Sequence, residues 1–99
     1  MTTHLVTLAF DLHNADSDDY DTADRELAKV GLARRLQAND GSIVPLPFNT
    51  YAGTFTGESP TEVRDSVRAR AKQALQECNL AGNLFVTVGG NWAWGAAAI

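Results

Sequence analysis

Six aspartates fall within the fifteen positions of FDLHNADSDDYDTAD, residues 10–24. Carboxylates at that density can hold a metal, repel nucleic acid or open a helix, and their spacing distinguishes these uses. An EF-hand loop requires glycine at its sixth position and glutamate at its twelfth, and no register of this stretch supplies both. Asp16, Asp18, Asp19 and Asp21 instead precede or begin a helical run, because Tyr20, Ala23, Leu27 and Val30 follow at helical spacing until Gly31. Carboxylates at such a start accept hydrogen bonds from free backbone N–H groups and oppose the helix dipole, each contributing roughly 0.3–1 kcal/mol. Asp24, further along, is expected on the solvated face. Asp11 is not covered by this account. It lies near the end of the segment LVTLAFDL, with His13 two residues on and pointing the same way. A carboxylate and an imidazole so related can serve as general base and general acid. The competing reading gives Asp11 a structural place in the turn and leaves His13 solvated without a task.

The cations fall in two groups. Arg34 and Arg35 open a second extended segment, and Arg64, Arg68 and Lys72 form a row at i, i+4, i+8 along a second helical run. Arginine suits phosphate geometry, so Arg34 and Arg35 are the better candidates for a nucleic-acid contact. The helical row reads first as a solvated face and second as nucleic-acid-binding. A formal net charge of −4 over 99 residues argues against a sequence-blind binder of nucleic acid, although it leaves room for a local basic patch. Cys78 is the only cysteine, so no intramolecular disulfide can form. Its spacing from Ala71, Ala74 and Leu75 predicts a small buried thiol on the apolar side of a helix. MTTHLVTLAF carries no basic signal-peptide segment, and no apolar run approaches the roughly 20 residues that span a bilayer. A cytoplasmic protein without membrane contact is expected.

These residues must be positioned by a single domain, which is what this chain length supports. LVTLAFDL alternates with period two, with Val6, Leu8, Phe10 and Leu12 on one face. That is a strand covered on one side only. After the first helix, LARRLQ, the NDG turn and SIVPL read as two extended pieces, and Pro45 and Pro47 suggest an edge or bulge. TYAGTFT follows, with Tyr51 and Phe55 on one side and Thr50, Ala52 and Thr54 on the other. Ser59-Pro60-Thr61-Glu62 has the residues of a capping box, and Val63, Val67, Ala71, Ala74, Leu75 and Cys78 form the stripe of an amphipathic helix. NLFVTV is the last strand. The order β-α-β-β-α-β predicts an α+β, ferredoxin-like fold: a four-stranded antiparallel sheet with two helices on one face. The open face would carry Thr7, Ala9, Thr50, Ala52, Thr54 and Thr87, with Phe85 its lone aromatic. That is a poor stacking surface for bases and a plausible surface for a protein partner.

With the elements placed, the chain resembles the endoribonuclease GhoS family, small Cas2-like proteins with a ferredoxin fold. The resemblance rests on Asp11-Leu12-His13, the acidic run into Asp19-Tyr20, Arg34, the Asp40-Gly41 turn, Leu46-Pro47, Tyr51 and a tail of Trp and Gly after the last strand. It implies RNA cleavage, for GhoS itself by an antitoxin that destroys a toxin's messenger RNA. It also implies that Asp11 stands where Cas2 proteins place an acidic metal-binding residue, for which Mg²⁺ or Mn²⁺ would be the ion. One carboxylate is a poor metal site, and a symmetric homodimer would present two. Asp11, His13 and Arg34 are then the expected catalytic residues, acting on single-stranded RNA. The alternative is a non-catalytic interaction module of a phage or other mobile element that binds or inhibits a host protein complex, which the acidic charge favours. Trp92 and Trp94 are expected either to fold over the domain edge or to hold a homodimer together.

Overall fold

The computed structural model describes residues 2–99, and its elements run β1 (Thr2–Leu12), α1 (Ser17–Val30), β2 (Arg35–Gln37), β3 (Ile43–Pro45), β4 (Thr50–Gly57), α2 (Pro60–Gln76) and β5 (Gly82–Gly89). Period-two patterning makes β1 the central strand of an antiparallel sheet ordered β4-β1-β5. Val6, Leu8 and Phe10 point to one face and are buried against Ala23 and Leu27 of α1 and Val63, Val67, Ala71 and Leu75 of α2. Burying each large apolar side chain contributes about 1.5–3 kcal/mol relative to leaving it exposed. Leu32 and Tyr51 complete this core.

Both helix starts follow from their capping residues. Asp16 Oδ1 accepts from Asp19 N–H (3.0 Å), and Asp19 Oδ2 accepts from Asp16 N–H (3.1 Å), a complete capping box. Ser59 Oγ accepts from Glu62 N–H (3.1 Å) ahead of Pro60. Helix α1 ends at Gly31, whose φ of 108° lies in the left-handed region that glycine adopts freely.

The single four-stranded sheet is not formed. Residues 35–45 instead make a separate two-stranded hairpin, β2-β3, joined to the main sheet by one antiparallel bridge between Ala33 and Ala52. Each of these alanines donates to the other's carbonyl, at 3.0 and 2.9 Å. Pro45 and Pro47 have no N–H to donate, which keeps the β2-β3 ladder short. Its turn closes through Asp40, whose carboxylate accepts from the Ser42 hydroxyl (2.6 Å) and N–H (2.9 Å), and these bonds hold its carboxyl below the usual range.

Three further positions differ from the sequence pattern. Helix α2 ends at Gln76, so Cys78 lies in the following turn and is half-buried. His4 extends the buried face of β1 by one more residue, at 3% exposure, where an apolar side chain would be the norm. Its Nε2 lies 3.4 Å from the Gly57 carbonyl, and its Nδ1 has no partner. After β5 the tail carries no strand, and Trp94 and Ala96 line a hollow with Ala38, Asn39 and Val44 of the chain's own hairpin. No helix among the described residues is long and apolar enough to cross a membrane.

Candidate functional site

The end of β1 carries the sequence-predicted pair. Asp11 lies on the open face of the sheet, directly opposite Asn83 of β5, and is exposed. Its carboxylate makes no hydrogen bond or ion pair among the described residues. His13 follows in the turn after β1, anchored by its own N–H donating to the Ala81 carbonyl (2.7 Å). Asn83 Nδ2 lies 3.5 Å from His13 Nε2, so Asn83 faces both members of the pair. Close approach of β1 and β5 here requires Gly82: a Cβ at that position would lie 1.8 Å from the Asp11 carbonyl oxygen. The backbone therefore holds Asp11 at a fixed height above the sheet while its side chain stays uncommitted.

Asp11 lines two shallow clefts. One, about 370 Å³, runs over the open face between Asp11, Asn83, Thr50, Phe48, Asn49 and Phe85. The other, about 310 Å³, opens beside the C-terminal end of α2 and brings Lys72 to its wall together with Asp11 and Asn83. Lys72 makes no ion pair among the described residues. Its companions in the row differ, since Arg64 and Arg68 both contact Asp65 Oδ1, at 2.8 and 3.2 Å. Those two are paired surface side chains, and of the basic row only Lys72 reaches the Asp11 end.

Arg34 belongs to another group of residues. Its guanidinium pairs with Asp24 Oδ2 at 2.9 Å and lies 5.8 Å from the centre of the Phe48 ring. Asp24 is not on a solvated face: it also accepts a hydrogen bond from the Tyr51 hydroxyl, which β4 delivers from the core. Burial first, then the bond to Asp24 and that residue's charge, raise the Tyr51 pKa well above the ordinary phenol value, with Arg34 opposing them. Arg34 and Arg35 line a hollow of about 480 Å³ between α1 and the hairpin, and Asp11 does not line it. Arg35 makes no ion pair among the described residues.

Sequence reasoning missed Phe48. It stands at 65% exposure in the loop before β4, where Asn49 takes a left-handed φ of 64°, and shares the Asp11 cleft with Phe85 at 67%. The cleft beside Asp11 therefore has two exposed aromatics along its lining. The local sequence signal was the apolar residue between Pro47 and a turn-forming Asn, but nothing local tells which strand it will face.

Among the described residues no three His, Cys, Asp or Glu side chains converge as a metal-binding group. One Asp11 carboxylate with the neutral Asn83 beside it does not fit an Mg²⁺ or Mn²⁺ site within a single chain. No protein-family model matches the sequence, and no curated protein matches it either.

Proposed function

We propose that this protein is a Cas2-like endoribonuclease of the GhoS type that cleaves single-stranded RNA at the Asp11 end of the sheet. The observation that supports this reading is an exposed carboxylate with no partner among the described residues, near an exposed imidazole whose side-chain contact is Asn83, at a strand end. Asp11 takes the proton from a ribose 2′-hydroxyl, and the 2′-oxygen attacks the adjacent phosphorus. The P–O5′ bond breaks as His13 donates a proton to the departing 5′-oxygen, giving a 2′,3′-cyclic phosphate and a free 5′-hydroxyl. Asn83 orients the imidazole. Lys72 and, across Phe48, Arg34 supply positive potential for the phosphate.

The ferredoxin-like frame belongs to the same proposal. Taking the Ala33 bridge as a residual second strand, the sheet reads β5-β1-β4-Ala33, the strand order of a ferredoxin-like βαββαβ unit with its edge strand reduced to one residue. A homodimer also belongs to it, since β5 leaves one edge open.

Cleavage of single-stranded RNA by wild type and Asp11→Asn tests the reading, with circular dichroism verifying the fold. A wild type inactive with and without Mg²⁺ or Mn²⁺ would discard it. The second reading, a non-catalytic module that binds a host protein complex, is favoured by the net charge of −4 together with exposed Ile43, Phe85 and Trp92. Co-purification separates the two, since the module retains a stoichiometric protein and no RNA.

A further inference from the structure

We infer that Phe48 and Phe85 form a stacking clamp for one unpaired nucleobase of a single-stranded RNA, holding its ribose toward Asp11. The inference rests on the reading of RNA as ligand and adds the means of binding, which charge cannot provide in a protein of net charge −4. Both rings are about two-thirds exposed, and both line one of the two clefts that Asp11 lines. Large aromatics left in water beside a polar cleft suit planar ligands, because every base has a π-face and stacking is tolerant of sequence. The cleft, about 370 Å³, is at the small end of ligand sites, roughly 300–1,000 Å³, which fits one nucleoside better than a duplex.

The two rings are held differently. Phe48 is backed by Tyr20, with ring centres 5.2 Å apart, and Tyr20 stacks in turn on Phe10 of the core at 6.1 Å. Arg34 over Phe48 adds a cation within reach of a backbone phosphate. Phe85 projects from β5 opposite Ala9, whose small side chain leaves the cleft floor clear. Thr50, Asn49 and Asn83 supply polar edges, and Asn49 Oδ1 is buried with no donor in the chain. The walls are thus apolar and the edges polar.

The test measures binding and not cleavage. Its probe is a 2′-fluoro oligoribonucleotide of eight adenosines, which lacks the attacking hydroxyl, compared with the same backbone bearing abasic residues and with a duplex. Wild type should bind the base-bearing strand well above both others. Phe48→Ala and Phe85→Ala should each weaken it roughly 5- to 100-fold, Phe85→Leu should weaken it nearly as much, and Phe85→Tyr should retain it. Since Phe85 is exposed, these variants are expected to fold, and circular dichroism verifies it. Equal binding of the abasic strand, or full binding by Phe85→Leu, overturns the clamp. Clamp binding without cleavage of ordinary RNA would sink the nuclease and leave the clamp standing. Cleavage that Phe48→Ala and Phe85→Ala leave unchanged in KM would do the reverse.

Discussion

Asp11 and Asp24 come from the same acidic stretch and have opposite fates. Asp24 is enclosed by a hydroxyl and a guanidinium, from residues that follow it by 27 and 10 positions, and it joins α1 to β4 and to the start of the hairpin. Asp11 is presented at a strand end, and its carboxylate has no partner among the described residues. A carboxylate whose lone pairs are satisfied contributes to stability, whereas one held in place without partners is free to act on something else. The same substitution at both sites should therefore give opposite results.

Asp11→Asn carries the largest expected effect. Loss of the base should slow RNA cleavage by roughly two orders of magnitude or more, while urea denaturation places its stability within about 0.5 kcal/mol of wild type. A variant that unfolds would remove the contrast with Asp24. Asp24→Asn should do the converse, costing about 1–2 kcal/mol through weakened bonds to Tyr51 and Arg34 and changing cleavage only a few-fold. A drop in cleavage equal to that of Asp11→Asn would bring Arg34 into the reaction itself.

The phenol sharpens the comparison through pH. The pKa of Tyr51 is raised on folding, so the native state keeps that proton where the unfolded chain gives it up. The resulting stability is fully present below the unfolded value, close to 10.0, and is lost as pH rises above it. Thermal melts of wild type should fall from about pH 10 upward, and Tyr51→Phe should flatten that decline while lowering stability at neutral pH by about 1 kcal/mol. The Asp11 end should leave this alkaline behaviour unaltered. Asp18→Asn gives the smallest change. Its charge opposes only the α1 dipole, so about 0.3–0.5 kcal/mol of stability should go, in salt-dependent fashion, with cleavage unchanged.

Local chemistry alone determined much of the frame. Period-two alternation gave β1 its buried face, and the Asp16 and Ser59 caps fixed both helix starts within a few residues of chain. The apolar stripe of α2 from Val63 to Leu75 packs as its spacing predicts. Asp11 was legible because the helix start accounted for its neighbours and left it over. Tertiary structure decided the rest, since those outcomes depend on residues far apart in sequence. Period alone could not show that Tyr51 would reach Asp24, or that Asn83 would come within 3.5 Å of His13 across 70 residues. Nor could it bring Phe48 into one cleft with Phe85, or show that the hairpin would keep a single bridge to the main sheet. Short-range patterns specify which face of an element is apolar. The partners of a polar side chain on that element are set only when the elements dock, by where the proline-limited hairpin and the close contact at Gly82 allow strands to meet.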